Sequence, residues 1–127
     1  FARFAEPGTT RIAGAELGGV ALAAAAALET NLPFVIVRNS KKADYGTGKL
    51  VEGRLEAGDR VLLVEDIATT GGQALEAARV LRSLGAIVTR CVAVIDRQEG
   101  ARENFAAAEI PFDSIFTTGD LAITIPR

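Results

Sequence analysis

Apolar residues in this chain come in two arrangements that alternate from one end to the other. Short unbroken runs, Arg11–Ala15, Pro33–Val37, Val61–Val64, Ile87–Ile95 and Ser114–Phe116, read as strands, most of them covered on both faces. Between them lie segments of helical propensity or spacing, Val20–Asn31, Gly72–Leu84 and Ala101–Glu109. Ala74, Leu75, Ala78, Leu81 and Leu84 recur three and four residues apart, and Gly85 stands where a helix stop is expected. Strand and helix in alternation predict an α/β fold, an open, mostly parallel sheet flanked by helices with right-handed crossovers. The remaining pieces are smaller. Residues 1–10 form an irregular lead-in, Leu50–Leu55 a short hairpin with turns at Gly53 and Gly58-Asp59, Pro111 a helix break, and Thr118 a cap over a last turn at Asp120-Leu121. No repeat or linker divides residues 1–127, so one domain is expected.

Composition narrows the functional classes. Of 127 residues, 49% are hydrophobic and 24% charged, which excludes disorder. A formal net charge of -2 speaks against general binding to nucleic acid or to an anionic membrane. The longest apolar tract, Val20–Leu28, is too short to span a bilayer, and Arg3, Glu6 and Pro7 interrupt any signal-like region. Cys91 is the sole cysteine and lies in an apolar run, so a buried inert thiol in a reducing cytoplasm is expected. With no histidine, Ser/His and Cys/His hydrolase chemistry is excluded. Phe1 in place of an initiator methionine predicts a processed, trimmed or fragmentary chain.

Candidate chemistry gathers where the strands end. The run Val61–Val64 leads into Glu65 and Asp66, then Thr69, Thr70, Gly71, Gly72 and Gln73, then a helix. Open parallel sheets bind ligands beyond the carboxyl ends of their strands. A small-residue loop entering a helix offers free N–H groups and the positive end of the helix dipole to an anion. After Ala15 come Glu16, Leu17, Gly18 and Gly19, whose glycines serve either close approach to an anion or a tight turn needed for packing. After Val37 comes the most polar and basic segment, from Arg38 through Lys41, Lys42 and Tyr45 to Lys49. Its cations and glycines fit a lid over a polyphosphate, against the plainer reading of a solvated loop. After Ile95 come Asp96 and Arg97. These ends together describe a ligand with a phosphate, vicinal hydroxyls and a second group of high negative charge. Neither a Walker loop nor a G-x-G-x-x-G motif occurs, which counts against nucleotide triphosphatases and dinucleotide enzymes.

The stretch Val61–Gly72 resembles the phosphoribosyl-diphosphate signature of the type I phosphoribosyltransferases. Ala15–Val20, Tyr45–Gly48 with Val51–Gly53, and Val94–Gly100 are similar, in order and spacing, to the orotate branch of that family. The resemblance covers roughly residues 11–122. It implies transfer of ribose 5-phosphate from phosphoribosyl diphosphate to orotate, giving orotidine 5'-monophosphate and diphosphate. It implies Mg²⁺ held mainly by substrate oxygens, with no confident direct protein ligand, and a homodimer with shared active sites. Glu65 and Asp66 would then hold the ribose hydroxyls, with Asp66 among the catalytic residues. Thr69–Gln73 would wrap the 5'-phosphate, Glu16–Gly19 approach the diphosphate, and Arg97 bind orotate. Arg38, Tyr45 and the catalytic Lys41 and Lys42 would belong to a flexible lid and hairpin over residues 38–53. Two departures qualify the transfer. Ala43 stands where family lids carry a lysine, so either Lys41 or Lys42 reaches the same phosphate or activity is weakened. The N-terminal hood that relatives place over the base is nearly absent from these residues. A phosphoribosyl-diphosphate-binding regulatory module and an inactive truncated core are the alternatives.

Overall fold

The computed structural model describes residues 1–38 and 50–121. Among these residues, one sheet is built from β1 (Arg11–Ala15), β2 (Phe34–Val37), β3 (Val51–Glu52), β4 (Arg60–Ala68), β5 (Ile87–Asp96) and β6 (Phe112–Thr117). Its order is β3-β2-β1-β4-β5-β6. β3 runs antiparallel to β2, and every other pairing is parallel. Helices α1 (Gly19–Thr30), α2 (Gly72–Ser83) and α3 (Ala101–Ala107) make the crossovers. From β1 the chain moves to β2 on one side and, after β3, returns to β4 on the other. β1 and β4 therefore flank the topological switch point, where open α/β sheets form their crevice.

Strand periodicity sorts the core into two layers. On β4, Leu62 and Val64 join Ile12, Val92 and the α1 residues Ala23 and Ala26. Val61 and Leu63 join Cys91, Ala93, the α2 residues Ala77, Ala78 and Leu81, and Phe105 of α3. Phe105 is fully buried and stacks on Phe112 with ring centroids 5.0 Å apart. Both faces of β4 are covered, which is why its sequence reads as an unbroken apolar run rather than an alternating one. α1 lies unusually close to the sheet. A Cβ on Gly14 would stand 2.8 Å from the Gly19 carbonyl carbon, so β1 and the start of α1 meet backbone to backbone.

Several predicted boundaries move. β4 does not stop at Val64 but continues through Ala68, because Glu65 pairs with Ala93, Ile67 with Ile95 and Ala68 with Asp96. Leu50–Leu55 is not a hairpin of its own; Val51 and Glu52 pair with Val37 and Ile36, so the turn-back belongs to β2 and β3. The final turn is capped by Thr117 rather than Thr118. The Thr117 N–H donates to Asp120 at 3.0 Å and the Asp120 N–H returns to the Thr117 hydroxyl at 3.0 Å. α3 ends at Ala107, short of Glu109, which adopts φ 59°. The lead-in holds one 3₁₀ turn, Ala2–Phe4, and Phe1 and Phe4 pack on the α1-side core. The expected stop at Gly85 is present: its φ is 89°, and the N–H groups of Gly85 and Ala86 return to the carbonyls of Arg82 and Leu81.

Candidate active site

The parallel strands deliver Glu16–Gly19, Arg38, Glu65–Gln73 and Arg97 to one sheet edge, the carboxyl edge. Lys41, Lys42 and Tyr45 lie outside the described residues. No helix among the described residues is long and apolar enough to cross a membrane.

The glycine loop 16–19 is held at several points. The Glu16 N–H donates to the Val37 carbonyl at 3.0 Å, and the Gln73 side-chain amide donates to the Glu16 carbonyl at 2.8 Å. The Glu16 carboxylate lies 3.8 Å from the Arg38 guanidinium, which is also 3.5 Å from Glu52. Arg38 is thus already engaged by carboxylates at the root of the 39–49 segment. Leu17 is 83% exposed and follows a cis Glu16–Leu17 peptide bond. The two glycines divide the roles that sequence leaves open. A Cβ on Gly19 would press on the Gly14 Cα at 3.1 Å and the Val64 carbonyl oxygen at 3.2 Å, a packing requirement. A Cβ on Gly18 would stand 2.5 Å from the Asp66 Cγ, so this glycine makes room for a site carboxylate.

The acidic pair occupies the last third of β4. Glu65 is only 5% exposed, and its Oε1 accepts the Asp66 N–H at 3.0 Å. Burial, reinforced by the neighbouring Asp66 carboxylate, pushes the Glu65 carboxyl up to about 7. Asp66 is held below its ordinary range, first by its interaction with Glu65 and then by the Ile67 N–H, which donates to Oδ1 at 2.8 Å; together these outweigh its partial burial. Near neutrality the pair carries its charge on Asp66, while Glu65 retains a proton over part of the population. Both residues lie within β4 rather than past the end of its strand, Glu65 as the inward group and Asp66 as the outward one.

The loop 69–73 then turns into α2. Thr69, Thr70, Gly72 and Gln73 are exposed, and the Thr70 Oγ1 accepts the Gly72 N–H at 3.4 Å. Gly71 has φ 82°, and a Cβ there would stand 2.9 Å from the Phe105 ring. Only glycine satisfies both conditions. The loop is also held from α3, whose Asn104 amide donates to the Thr70 carbonyl at 2.8 Å. The loop leads into the N-terminus of α2, where the first main-chain N–H groups have no acceptor within the helix, a disposition suited to phosphate.

Arg97 leaves β5 beside this loop, its N–H donating to the Ala68 carbonyl at 2.9 Å. The guanidinium lies 3.3 Å from Glu99. Asp96, 2% exposed, accepts the Gln98 N–H at 2.8 Å and shapes the turn that presents Arg97. Thr118 donates to the Arg97 carbonyl at 3.2 Å, and Gln98 accepts the Gly119 N–H at 3.0 Å.

The phosphoribosyl transferase domain family model matches residues 8–115. The chain belongs to this family. An orotate phosphoribosyltransferase of Natronomonas pharaonis is 51% identical over 114 residues, which make up 90% of this chain and 65% of that relative. The chain therefore spans less than two thirds of that relative's length. The crystal structure of orotate phosphoribosyltransferase from Aeropyrum pernix superposes with a TM-score of 0.77 at 35% identity, covering 90% of this chain and 66% of that one. The Mycobacterium tuberculosis orotate phosphoribosyltransferase, crystallised with phosphoribosyl diphosphate, gives a TM-score of 0.74 at 31% identity, covering 91% and 66%. In this phosphoribosyl transferase domain, sequence reading missed Asn104, which braces loop 69–73, and the contacts by which Gln98 and Thr118 brace the turn that carries Arg97. Asn104 is a polar residue outside any motif, and no local signal distinguishes it from a solvated surface position.

Proposed function

We propose that the domain transfers ribose 5-phosphate from phosphoribosyl diphosphate to orotate, releasing diphosphate and forming orotidine 5'-monophosphate. The observation that carries this reading is the position of Asp66, an ionised carboxylate seated against Gly18 between two loops suited to anions. A donor with phosphate at one end, diphosphate at the other and hydroxyls between them matches that order. Loop 69–73 binds the 5'-phosphate through N–H groups and hydroxyls, and Glu16–Gly19 approach the diphosphate. Asp66, seconded by Glu65, accepts hydrogen bonds from the ribose hydroxyls and favours positive charge on the sugar as the C1'–oxygen bond to diphosphate breaks. The orotate ring nitrogen closes the new bond to C1' and gives up its proton to the departing diphosphate, while Arg97 orients the acceptor through its carboxylate. The names of the relatives support orotate, and the donor-bound Mycobacterium structure supports the donor.

Lys41 and Lys42 are assigned to stabilise the departing diphosphate and Tyr45 to the same segment, on the family resemblance. Mg²⁺ fits this donor set as an ion held chiefly by substrate. Among the described residues no group of three or more His, Cys, Asp or Glu side chains could hold a metal, and Mg²⁺ readily keeps waters and phosphate oxygens as its ligands. When bound, it offsets diphosphate charge. Assembly as a homodimer with shared sites is assigned on the family resemblance. A cytoplasmic location is supported by the buried free thiol of Cys91.

The test is loss of orotate absorbance on mixing the protein with phosphoribosyl diphosphate and Mg²⁺. Turnover is expected, and Arg97→Ala should raise the orotate concentration required while donor affinity stays near normal. Tight donor binding without turnover would replace the enzyme with a sensor module.

A further inference from the structure

Gln73 and Glu16 are 57 residues apart in sequence, yet the Gln73 side-chain amide donates to the Glu16 carbonyl at 2.8 Å. Gln73 lies in the first turn of α2, where main-chain N–H groups lack acceptors within the helix. Its two donor groups thus serve different directions: the main-chain N–H belongs to the 69–73 loop, and the side chain reaches the glycine loop. Glu16 is tied on its other sides to Val37 and Arg38. Beside this contact is a cavity of about 140 Å³, lined by Ala15, Val37, Arg38, Glu76, Ala77 and Val80 together with Glu16 and Gln73 themselves. Ala15, Val37, Ala77 and Val80 belong to one buried core, and the Gln73 hydrogen bond adds a direct polar tie between the start of α2 and the glycine loop.

We propose that Gln73 is a positioning residue that clasps the two donor-binding loops together and so couples the phosphate half of the site to the diphosphate half. The inference rests on the donor site proposed above. Because the bond is exposed to water, its net worth is modest, about 5-fold in affinity. The clasp acts on the pair of subsites and not on either alone. A donor that bridges both loops feels it, whereas a fragment occupying one loop does not.

Gln73→Met tests this, since it keeps side-chain length and helix propensity but cannot donate. Calorimetry with Mg²⁺ compares ribose 5-phosphate alone, inorganic diphosphate alone, each in the presence of the other, and intact phosphoribosyl diphosphate. The unsubstituted protein should bind each fragment more tightly when the other is present. Gln73→Met should bind the single fragments within about 2-fold of normal, lose that mutual enhancement and bind the intact donor about 5-fold more weakly. Unchanged coupling in Gln73→Met overturns the clasp, as does an equal loss for ribose 5-phosphate alone, which would make the side chain a direct phosphate ligand. Failure of the unsubstituted protein to bind the donor or either fragment overturns the site assignment itself, and the clasp with it.

Discussion

Gly18→Ala isolates the relation between the glycine loop and the acidic pair. Gly18 has φ -63° and ψ -27°, values open to any L-residue, so the substitution carries little backbone strain. The added methyl meets Asp66 instead, at 2.5 Å from Cγ and 2.6 Å from Oδ1. That is about 1 Å inside ordinary contact between heavy atoms. The carboxylate ends a short side chain and yields before the backbone does, breaking its 2.8 Å hydrogen bond from the Ile67 N–H. A hydrogen bond to a charged group is worth about 1.5–3 kcal/mol, and water regains part of it at this partly exposed position, so a stability loss of about 1–2 kcal/mol is expected. Donor binding should suffer more, because a carboxylate displaced by about 1 Å no longer meets the ribose hydroxyls; a 10- to 100-fold loss is expected. Urea unfolding reads the first quantity and calorimetric titration with phosphoribosyl diphosphate the second. In an Asp66→Ala background the methyl has nothing to displace, and Gly18→Ala should cost less than about 0.5 kcal/mol. The same loss with and without Asp66, or no loss in either background, would refute the steric account.

Gly14→Ala should destabilise by about 3 kcal/mol in urea unfolding, because its methyl meets the Gly19 carbonyl carbon at 2.8 Å and neither partner can yield. Gly72→Ala, whose methyl finds the Thr70 Oγ1 at 3.6 Å, should leave stability unchanged or raise it by up to about 1 kcal/mol. The Glu65 carboxyl is raised from 4.5 to about 7, so its protonated form stabilises the fold fully below 4.5, and that contribution is lost as pH rises through 7. Unfolding free energy should therefore fall across that window by up to about 3 kcal/mol from this group, and Glu65→Gln should flatten the slope; identical slopes would contradict the assignment. Burial and then the nearby Glu65 charge push the Cys91 thiol up, so an aromatic disulfide reagent at alkaline pH should label it only after unfolding.

Much of this arrangement is written locally. Val61–Val64 announces a strand buried on both faces, Gly85 announces the end of α2, and the Thr/Gly loop after the carboxylates marks the switch-point edge. What stays hidden depends on distant partners. Glu65 and Asp66 look like the start of a loop because nothing nearby in sequence reveals that Ala93, Ile95 and Asp96 extend the pairing to Ala68. Glu65 and Asp66 also look equivalent, and only burial separates them. Gly18 and Gly19 are identical in sequence, and their division of labour is set by Asp66 on one side and Gly14 on the other. The side chain of Gln73 reads as one more phosphate contact until its reach to Glu16 is seen. Asn104 lies in an ordinary polar helix pattern, and its hold on the Thr70 carbonyl exists only once α3 is docked.

Calorimetric titration of the protein with phosphoribosyl diphosphate and Mg²⁺ decides whether the loops around Asp66 form a site for the phosphoribosyl donor. Saturable binding is expected, weakened about 10-fold or more by Asp66→Asn, which keeps the shape of the side chain but removes its charge. No binding, or equal affinity in the unsubstituted and Asp66→Asn proteins, would contradict the account.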